Sequence, residues 1–251
     1  YVIDNSLFSH VLGYTGAVSR QEREDDEEYR YSINSRLGKS GIEKTYENEL
    51  RGKVGYSTVE VNVHGKEVRE LEKVLPTKAK NIFLSLDQEL QELARKGLKG
   101  RKGAVVAIDP NNGLVKVLVS SPDYNPNIFN ETAEGDLRSL NSDTNAPFFN
   151  RAISGNYPPA STLKPFLGLL GLESGIINWN TKIEDEGFFQ IQEEGRKYRG
   201  WKEEGHGTVD LNKAIIESSD VYFYELASKT TVDQIHAFLK LFGFGQKTGI
   251  D

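Results

Sequence analysis

The sequence predicts an α+β protein in two parts: a small module over residues 1–80, then the first part of a larger domain over 81–251, in which helices pack around an antiparallel sheet. Three observations support this prediction. Residues 56–63 alternate apolar and polar side chains, as in a half-exposed strand, and a second strand at 68–75 would complete a hairpin. Two apolar runs joined by Pro110-Asn-Asn-Gly113 indicate a second hairpin. A continuous apolar run after Pro158-Pro159 indicates a buried helix.

The composition excludes several function classes. With 251 residues, 37% of them hydrophobic, and a net charge of -6, the chain is long enough to form a core and has no basic stripe for nucleic acid. The absence of cysteine excludes disulfides, thiolate nucleophiles and zinc–thiolate sites. No metal site is expected, because the four histidines lie far apart in sequence without any paired-ligand spacing: His10, His64, His206 and His236.

The chain contains no methionine, even at position 1, which predicts that it does not begin at a native N-terminus. Two explanations stay open: an unusual composition, or modified methionines missing from the sequence, in which case some spacings are short by a residue. There is no apolar run of 18 or more residues and no signal peptide. Any membrane anchor is therefore expected outside this chain.

In the first part, the acidic run Gln21–Glu28 is typical of a solvated loop or helix face. The four-residue spacing of Ile42, Tyr46 and Leu50 predicts a short helix that ends at Gly52. The hairpin is expected to consist of strands 56–63 and 68–75, joined by a turn at His64-Gly65. This part shows no constellation of catalytic residue types.

The second part begins with an expected short strand at Ile82–Leu86, followed by a helix that Asp87 caps and that runs to about Leu98. The second hairpin is predicted from strands 103–109 and 114–120. Residues 122–159 are rich in Asn, Asp, Ser and Pro, which favours long surface connections.

The segment after Pro158-Pro159 carries the clearest chemical signal. Because two prolines cannot lie inside a helix, the helix is expected to begin at about Ser161. A hydroxyl there lies beside free backbone N–H groups, which favour a developing negative charge. Lys164 follows three residues later on the same helix face, so its amine is expected to reach the Ser161 hydroxyl.

A lysine at the rim of a buried helix loses the solvation that favours its ammonium form, and a neutral amine can act as a general base for serine. Ser161 is the only serine in the sequence with a lysine three residues later. The alternative interpretation is a helix cap followed by a surface lysine.

The block from Asn150 to Pro165, which contains Tyr157-Pro-Pro-Ala-Ser-Thr-Leu-Lys164, resembles the first active-site motif of penicillin-binding proteins. One departure is Ala160, where that family usually has glycine, and it bears on turn geometry more than on chemistry. The second hairpin and Pro122–Pro126 resemble the strands and loop that precede this motif in the family.

The resemblance extends over nearly the whole chain. The blocks His10–Gly16 and Gly38–Gly55 are similar to the pedestal domain of class B members. Tyr198–Gly207 is similar to the elongation-type, rod-shape branch. The implied fold is a pedestal, of the dimerisation type, followed by a partial transpeptidase domain of the penicillin-binding protein and β-lactamase type.

Ser218-Ser219-Asp220 matches the family's second motif, Ser-x-Asn or Ser-x-Asp. Several other serines have this spacing, but this trio lies between a predicted helix, 209–217 with Thr208 as its cap, and the aromatic run 221–224. The resemblance implies that Ser218 relays a proton between Lys164 and the leaving amine and that Asp220 orients the site and contacts substrate. The alternative is a helix-end cap.

Three further residues are candidates for substrate binding: Ser219, Trp201 and Tyr198. Trp201 and Tyr198 could line a groove for a peptide, and packing of their loop is the equal alternative. His206, between two glycines, is expected to make a loop hydrogen bond rather than to act as a general base.

Lys247-Thr248-Gly249 reads like the family's third motif, Lys-Thr-Gly. We reject this assignment because the family's motif lies on a sheet-edge strand far downstream of the second motif, whereas this one follows Asp220 closely. The true third motif is expected outside this chain.

The resemblance implies a peptidoglycan D,D-transpeptidase of cell elongation that needs no cofactor. Its expected partners are D-Ala-D-Ala stem peptides, β-lactams, a membrane glycan polymerase and rod-shape proteins, at the periplasmic face of the inner membrane. Two alternatives stay open: a β-lactamase-type hydrolase, and a catalytically silent β-lactam sensor or scaffold.

Overall fold

The computed structural model describes residues 5–26, 31–32, 34–129, 134–192 and 194–250. The chain divides into two compact units, the first extending to Gly155 and the second spanning Asn156–Ile250. No helix within the described ranges combines the length and the apolar character needed to cross a bilayer.

The first unit begins with short elements: a 3-10 turn at Asn5–Phe8, α1 (Ser9–Leu12), β1 (Thr15–Ala17), α2 (Arg20–Glu24), β2 (Arg36–Gly38), α3 (Gly41–Thr45) and α4 (Glu47–Arg51). Strands β1 and β2 pair antiparallel. Helix α2 carries part of the predicted acidic run, of which residues 27 and 28 lie outside the described residues.

The prediction of a single helix over residues 42–50 is wrong, because the helix is interrupted at Tyr46 and divides into α3 and α4. The break places Glu47 at the start of α4, where its carboxylate accepts a hydrogen bond from the backbone N–H of Gly38 at 2.9 Å. The four-residue apolar spacing predicts neither this break nor the contact of Glu47 with β2. Gly52 ends α4, as predicted, with a φ of 74°.

The first hairpin is confirmed as β3 (Tyr56–Val61) and β4 (Glu67–Val74), an antiparallel pair with two register shifts. Every residue of β4 is exposed within this unit. The second hairpin is also confirmed, as β5 (Gly103–Ile108) and β6 (Val115–Ser121).

The strand predicted at Ile82–Leu86 is absent from the described structure. The segment runs beside β6 but makes only isolated bonds there, from Ser85 Oγ to Val115 O and from Asp87 N to Lys116 O. Asp87 caps α5 (Gln88–Leu98) as predicted, because its carboxylate accepts from Leu90 N at 3.1 Å.

The connection predicted over residues 122–159 contains a 3-10 turn at Pro126–Phe129 and one helix, α6 (Glu134–Ser142). The prediction missed this helix because Leu137 and Leu140 give it only a short apolar spacing within a polar stretch.

The second unit begins with a 3-10 turn at Ala160–Leu163 that leads into α7 (Lys164–Glu173). Its other elements are β7 (Ile183–Asp185) paired with β10 (Gly207–Val209), β8 (Phe188–Phe189) paired with β9 (Tyr198–Arg199), α8 (Leu211–Ile216), α9 (Asp220–Ser228) and α10 (Val232–Lys240). The core cluster consists of Ile177, Val209, Leu211, Ala214, Tyr222, Phe223 and Leu226.

Two predictions in this unit need correction. Helix α8 begins after Asp210, whose carboxylate accepts from Lys213 N, whereas Thr208 pairs with Glu184 in the β10–β7 ladder and caps nothing. Helix α7 is not buried all round: Gly168, Leu170 and Gly171 are buried, but Leu169 is 44% exposed.

Candidate active site

Ser161 lies on the 3-10 turn before α7, where its backbone carbonyl accepts the N–H of Lys164. The preceding residue, Ala160, has a left-handed backbone with a φ of 47°. An alanine is disfavoured in this region and a glycine is not, so the departure from the family's glycine has a local conformational cost. Ser161 is exposed within the unit, whereas Lys164 is only 8% exposed.

The second motif forms the junction between α8 and α9. Ser218, between the two helices, has a left-handed backbone with a φ of 54°. Ser219 is the N-cap of α9, because its hydroxyl accepts from Tyr222 N at 3.2 Å. Asp220 is the first residue of α9, so its carboxylate lies near the positive end of the helix dipole.

The four predicted catalytic residues meet in one hydrogen-bonded chain. The Ser218 hydroxyl donates to Ser161 Oγ at 2.9 Å. Lys164 Nζ donates to Ser218 Oγ at 3.1 Å, to the Ser218 carbonyl at 2.8 Å and to Asp220 Oδ1 at 2.5 Å. The chain can therefore transfer a proton between Ser161 and Lys164 through a single intervening hydroxyl.

Two features of this chain differ from the sequence-based expectation. The bonds of Lys164 Nζ among the described residues go to Ser218 and Asp220, so the expected direct bond to Ser161 is replaced by a bridge through Ser218. Its three acceptors also match the three donors of an ammonium, and one acceptor is a carboxylate. The resting geometry thus pairs Lys164 Nζ with a carboxylate, a partner that the sequence did not predict.

Ser219 is fully buried, and its hydroxyl also donates to Asp185 Oδ2 at 2.6 Å. Because this hydroxyl both donates and accepts a hydrogen bond inside the unit, its geometry supports a structural role rather than the predicted substrate contact. Asp185 Oδ2 also bonds His206 Nδ1 at 2.7 Å, and Asp185 Oδ1 accepts from Gly187 N at 2.9 Å.

The ionisation of Asp185 reflects a balance of opposing effects. Burial raises the pKa of Asp185, but the hydrogen bonds from Ser219, His206 and the Gly187 backbone outweigh burial, so the net pKa lies below its usual value. Asp185 is thus held as a carboxylate. Sequence reasoning missed it, and the only available signal was an acid at a strand end two residues before a glycine.

Trp201 contacts the second motif through hydrogen bonds. Its indole N–H is shared between the carbonyls of Glu217 and Ser218, both at 3.2 Å, and its backbone N–H donates to Asp220 Oδ2 at 3.1 Å. The residue is nevertheless 63% exposed within the unit. The two roles considered for Trp201, lining a peptide groove and packing its own loop, are therefore compatible.

Tyr198 does not join this network. It lies on β9 and is 38% exposed, with its ring 6.2 Å from that of Tyr224. It lines a mostly apolar groove of about 270 Å³ together with Phe189, Ile191, Tyr224, Ala227 and Ser228. Contact of Tyr198 with a substrate stays a prediction.

Lys247, Thr248 and Gly249 follow α10 and lie in no strand of the described structure. They are exposed within the unit, and Thr248 Oγ1 accepts only a local bond from Ile250 N at 3.4 Å. This geometry agrees with their rejection as the third motif. The described residues also contain no group of three potential metal ligands.

The profile of the penicillin binding protein transpeptidase domain matches residues 103–251, more than half of the chain, and that of the penicillin-binding protein dimerisation domain matches residues 1–84. The chain therefore belongs to the penicillin-binding protein transpeptidase family.

Similarity to individual proteins is more specific than the match to the family. The chain is 44% identical, over its full length, to the peptidoglycan D,D-transpeptidase MrdA of Acinetobacter baumannii, and it spans 38% of that protein. Penicillin-binding protein 2 of Helicobacter pylori, solved in a complex with MreC, matches 99% of the chain at 41% identity, with a TM-score of 0.90 and 46% of that chain covered. Pseudomonas aeruginosa PBP2 in complex with WCK 5153 matches 97% at 40% identity, with a TM-score of 0.86 and 50% covered.

Proposed function

We propose that the protein carrying this chain is a serine D,D-transpeptidase that cross-links peptidoglycan stem peptides, with Ser161 as nucleophile. The observation that supports this proposal best is the continuous hydrogen-bonded chain from Ser161 through Ser218 to Lys164 and Asp220. A cap followed by a surface lysine would not need a buried lysine bonded to a second serine.

The first half-reaction is acylation. Ser161 Oγ attacks the carbonyl carbon of the penultimate D-Ala, while the Ser218 hydroxyl, turned from its resting direction, gives its own proton to Lys164 and takes the proton of Ser161. Lys164 must be neutral at that moment, and Asp220 Oδ1, at 2.5 Å, is the nearest acceptor for the proton that Lys164 gives up. The peptide C–N bond then breaks, and the terminal D-Ala leaves with a proton returned through Ser218.

The second half-reaction repeats these transfers in reverse. An amine of a neighbouring stem peptide attacks the acyl-enzyme, gives its proton to the same chain and releases Ser161. A β-lactam presents a strained amide to the same hydroxyl and forms the corresponding acyl adduct. No step requires a cofactor.

Finer features of the proposal follow from likeness to the relatives. We assign residues 1–80 to a pedestal and 81–251 to the first part of the transpeptidase domain of an elongation-type, class B protein. The expected location is the periplasmic face of the inner membrane, with an anchor outside this chain. A partner of the MreC kind is expected because the Helicobacter pylori relative was solved with MreC. A glycan polymerase partner is proposed on the sequence resemblance alone.

The decisive experiment labels the full-length protein with a fluorescent penicillin. We expect a long-lived adduct on the wild type and on Ser174→Ala, an exposed serine at the far end of α7 and outside both motifs, and no adduct on Ser161→Ala. Adduct formation by Ser161→Ala would contradict the assignment of the nucleophile.

The same preparation separates the alternatives. Rapid loss of the label with release of hydrolysed drug would indicate a β-lactamase. Stable labelling without release of D-Ala from a stem pentapeptide would indicate a sensor or scaffold. Release of D-Ala together with a cross-linked dimer is the result expected of a transpeptidase.

A further inference from the structure

Ser218 must hold its hydroxyl between Ser161 Oγ and Lys164 Nζ, yet its backbone adopts the left-handed region with a φ of 54°. A residue with a Cβ is disfavoured there and persists only when its surroundings hold it. The contacts that hold the Ser218 turn therefore determine where the bridging hydroxyl points.

One set of contacts holds the turn from the interior of the unit. The hydroxyl of Ser219, which is fully buried, donates to Asp185 Oδ2. The same carboxylate oxygen bonds His206 Nδ1, and the side chains of Asp185 and His206 are 2% and 4% exposed. A buried carboxylate with three donors is a rigid anchor, because releasing any donor leaves a buried charge less well solvated.

A second set of contacts holds the turn from the exposed side. The Trp201 indole N–H bonds the Ser218 carbonyl, the same carbonyl that Lys164 Nζ uses. The Trp201 backbone N–H bonds Asp220 Oδ2. Trp201 therefore contacts the residue before Ser219 and the residue after it.

His206 connects the two sets. Its ring lies 5.4 Å from that of Trp201, between centroids, in an edge-on arrangement, while its Nδ1 bonds Asp185. Among the described residues, none of Asp185, His206 and Trp201 bonds Ser161 or Lys164.

We infer that Asp185, His206 and Trp201 form a clamp of positioning residues, which holds Ser218 in its left-handed conformation and thereby aligns the proton path between Ser161 and Lys164. The inference rests on the proposed function. It assigns these residues to the acylation step, because a small misplacement of a proton-transfer group slows a reaction far more than it weakens binding.

The test uses the full-length protein and a fluorescent penicillin, and it measures the noncovalent Kd and the acylation rate constant separately. Trp201→Phe keeps an aromatic ring and removes the indole N–H, whereas Asp185→Asn and Ser219→Ala weaken the buried anchor. Each is expected to lower the acylation rate constant by about 10- to 100-fold, with Kd unchanged within about twofold.

A conservative pair sharpens the test. His206→Asn retains a donor near the position of Nδ1 and is expected to recover most of the rate that His206→Ala loses. Thr208→Ala is the matched control, because it removes an exposed bond to Glu184 in the same β7–β10 pair and should acylate at the wild-type rate.

The outcomes separate this inference from the proposed function. Wild-type acylation rates in folded Trp201→Phe and Asp185→Asn would overturn the clamp while leaving Ser161 as nucleophile. A smaller labelled fraction that reacts at the normal rate would show a merely structural role, and a change confined to Kd would make Trp201 a substrate contact. Either of these last two results would also overturn the clamp. Labelling of Ser161→Ala would instead refute the proposed function itself.

Discussion

The turns that carry Ser161 and Ser218 use the same backbone conformation in different ways. At the first turn the left-handed residue is the neighbour, Ala160, and the serine side chain is exposed within the unit. At the second turn the serine itself is left-handed, and hydrogen bonds hold it from two sides. In the proposed mechanism the nucleophile is therefore accessible, whereas hydrogen bonds on two sides hold the turn of the residue that relays its proton.

The largest effect on acylation is expected at Lys164, which follows the Ser161 turn and hydrogen-bonds Ser218. Lys164→Met removes the proton acceptor and leaves Asp220 without its ion pair, so acylation by a fluorescent penicillin should fall by about a thousandfold or more. Lys182→Met, at an exposed lysine of the same unit, should acylate normally. A loss below about tenfold in Lys164→Met would mean that Ser161 is activated by another group.

Substitution of Ser218 separates its backbone role from its hydroxyl. Ser218→Gly and Ser218→Ala both remove the relay, and both should lower the acylation rate by about 100-fold. Glycine accepts the left-handed conformation, so the free energy of unfolding of Ser218→Gly, measured by denaturant titration, should exceed that of Ser218→Ala by about 1 kcal/mol. Equal stabilities would show that the turn relaxes when the side chain is removed.

The anchor beneath the Ser218 turn should appear in the acid stability of the protein. Because the pKa of Asp185 is lower in the folded state, its carboxylate contributes stability that is present above its ordinary pKa of 3.8 and is lost as the pH falls below that value. In Asp185→Asn the free energy of unfolding should fall less steeply at acid pH, as measured by denaturant titrations between about pH 2.5 and 5. An unaltered pH dependence in Asp185→Asn would contradict the assignment.

The smallest effect is expected at the turn of the nucleophile. Ala160→Gly relieves the left-handed conformation and should raise the free energy of unfolding by about 0.5–1 kcal/mol, with acylation unchanged within about twofold. Ala227→Gly, near the end of α9, should have the opposite sign because glycine is a poor helix former. Thermal or denaturant unfolding of both variants checks the pair, and a destabilised Ala160→Gly would contradict the argument.

Features that depend on near neighbours in the chain could be predicted from the amino-acid sequence. Pro158 and Pro159 delay the helix, so the helical turns begin beside Ser161. The Asp87 cap and the turn around Gly113 were likewise predictable, because caps and tight turns are set within a few residues. Ser161 and Lys164 were predictable from the same kind of local pattern, whereas Ser218 and Asp220 were implied by the motif resemblance.

How those candidates contact one another could not be predicted and is seen only in the folded protein. Helical spacing suggested a direct contact between Ser161 and Lys164, but a hydroxyl 54 residues beyond Lys164 lies between them. The Asp185 carboxylate was unpredictable for the same reason, since its partners come from distant segments and burial rather than spacing gives it its role. Packing brings such groups together through the sum of many contacts, and no short stretch of sequence encodes that sum.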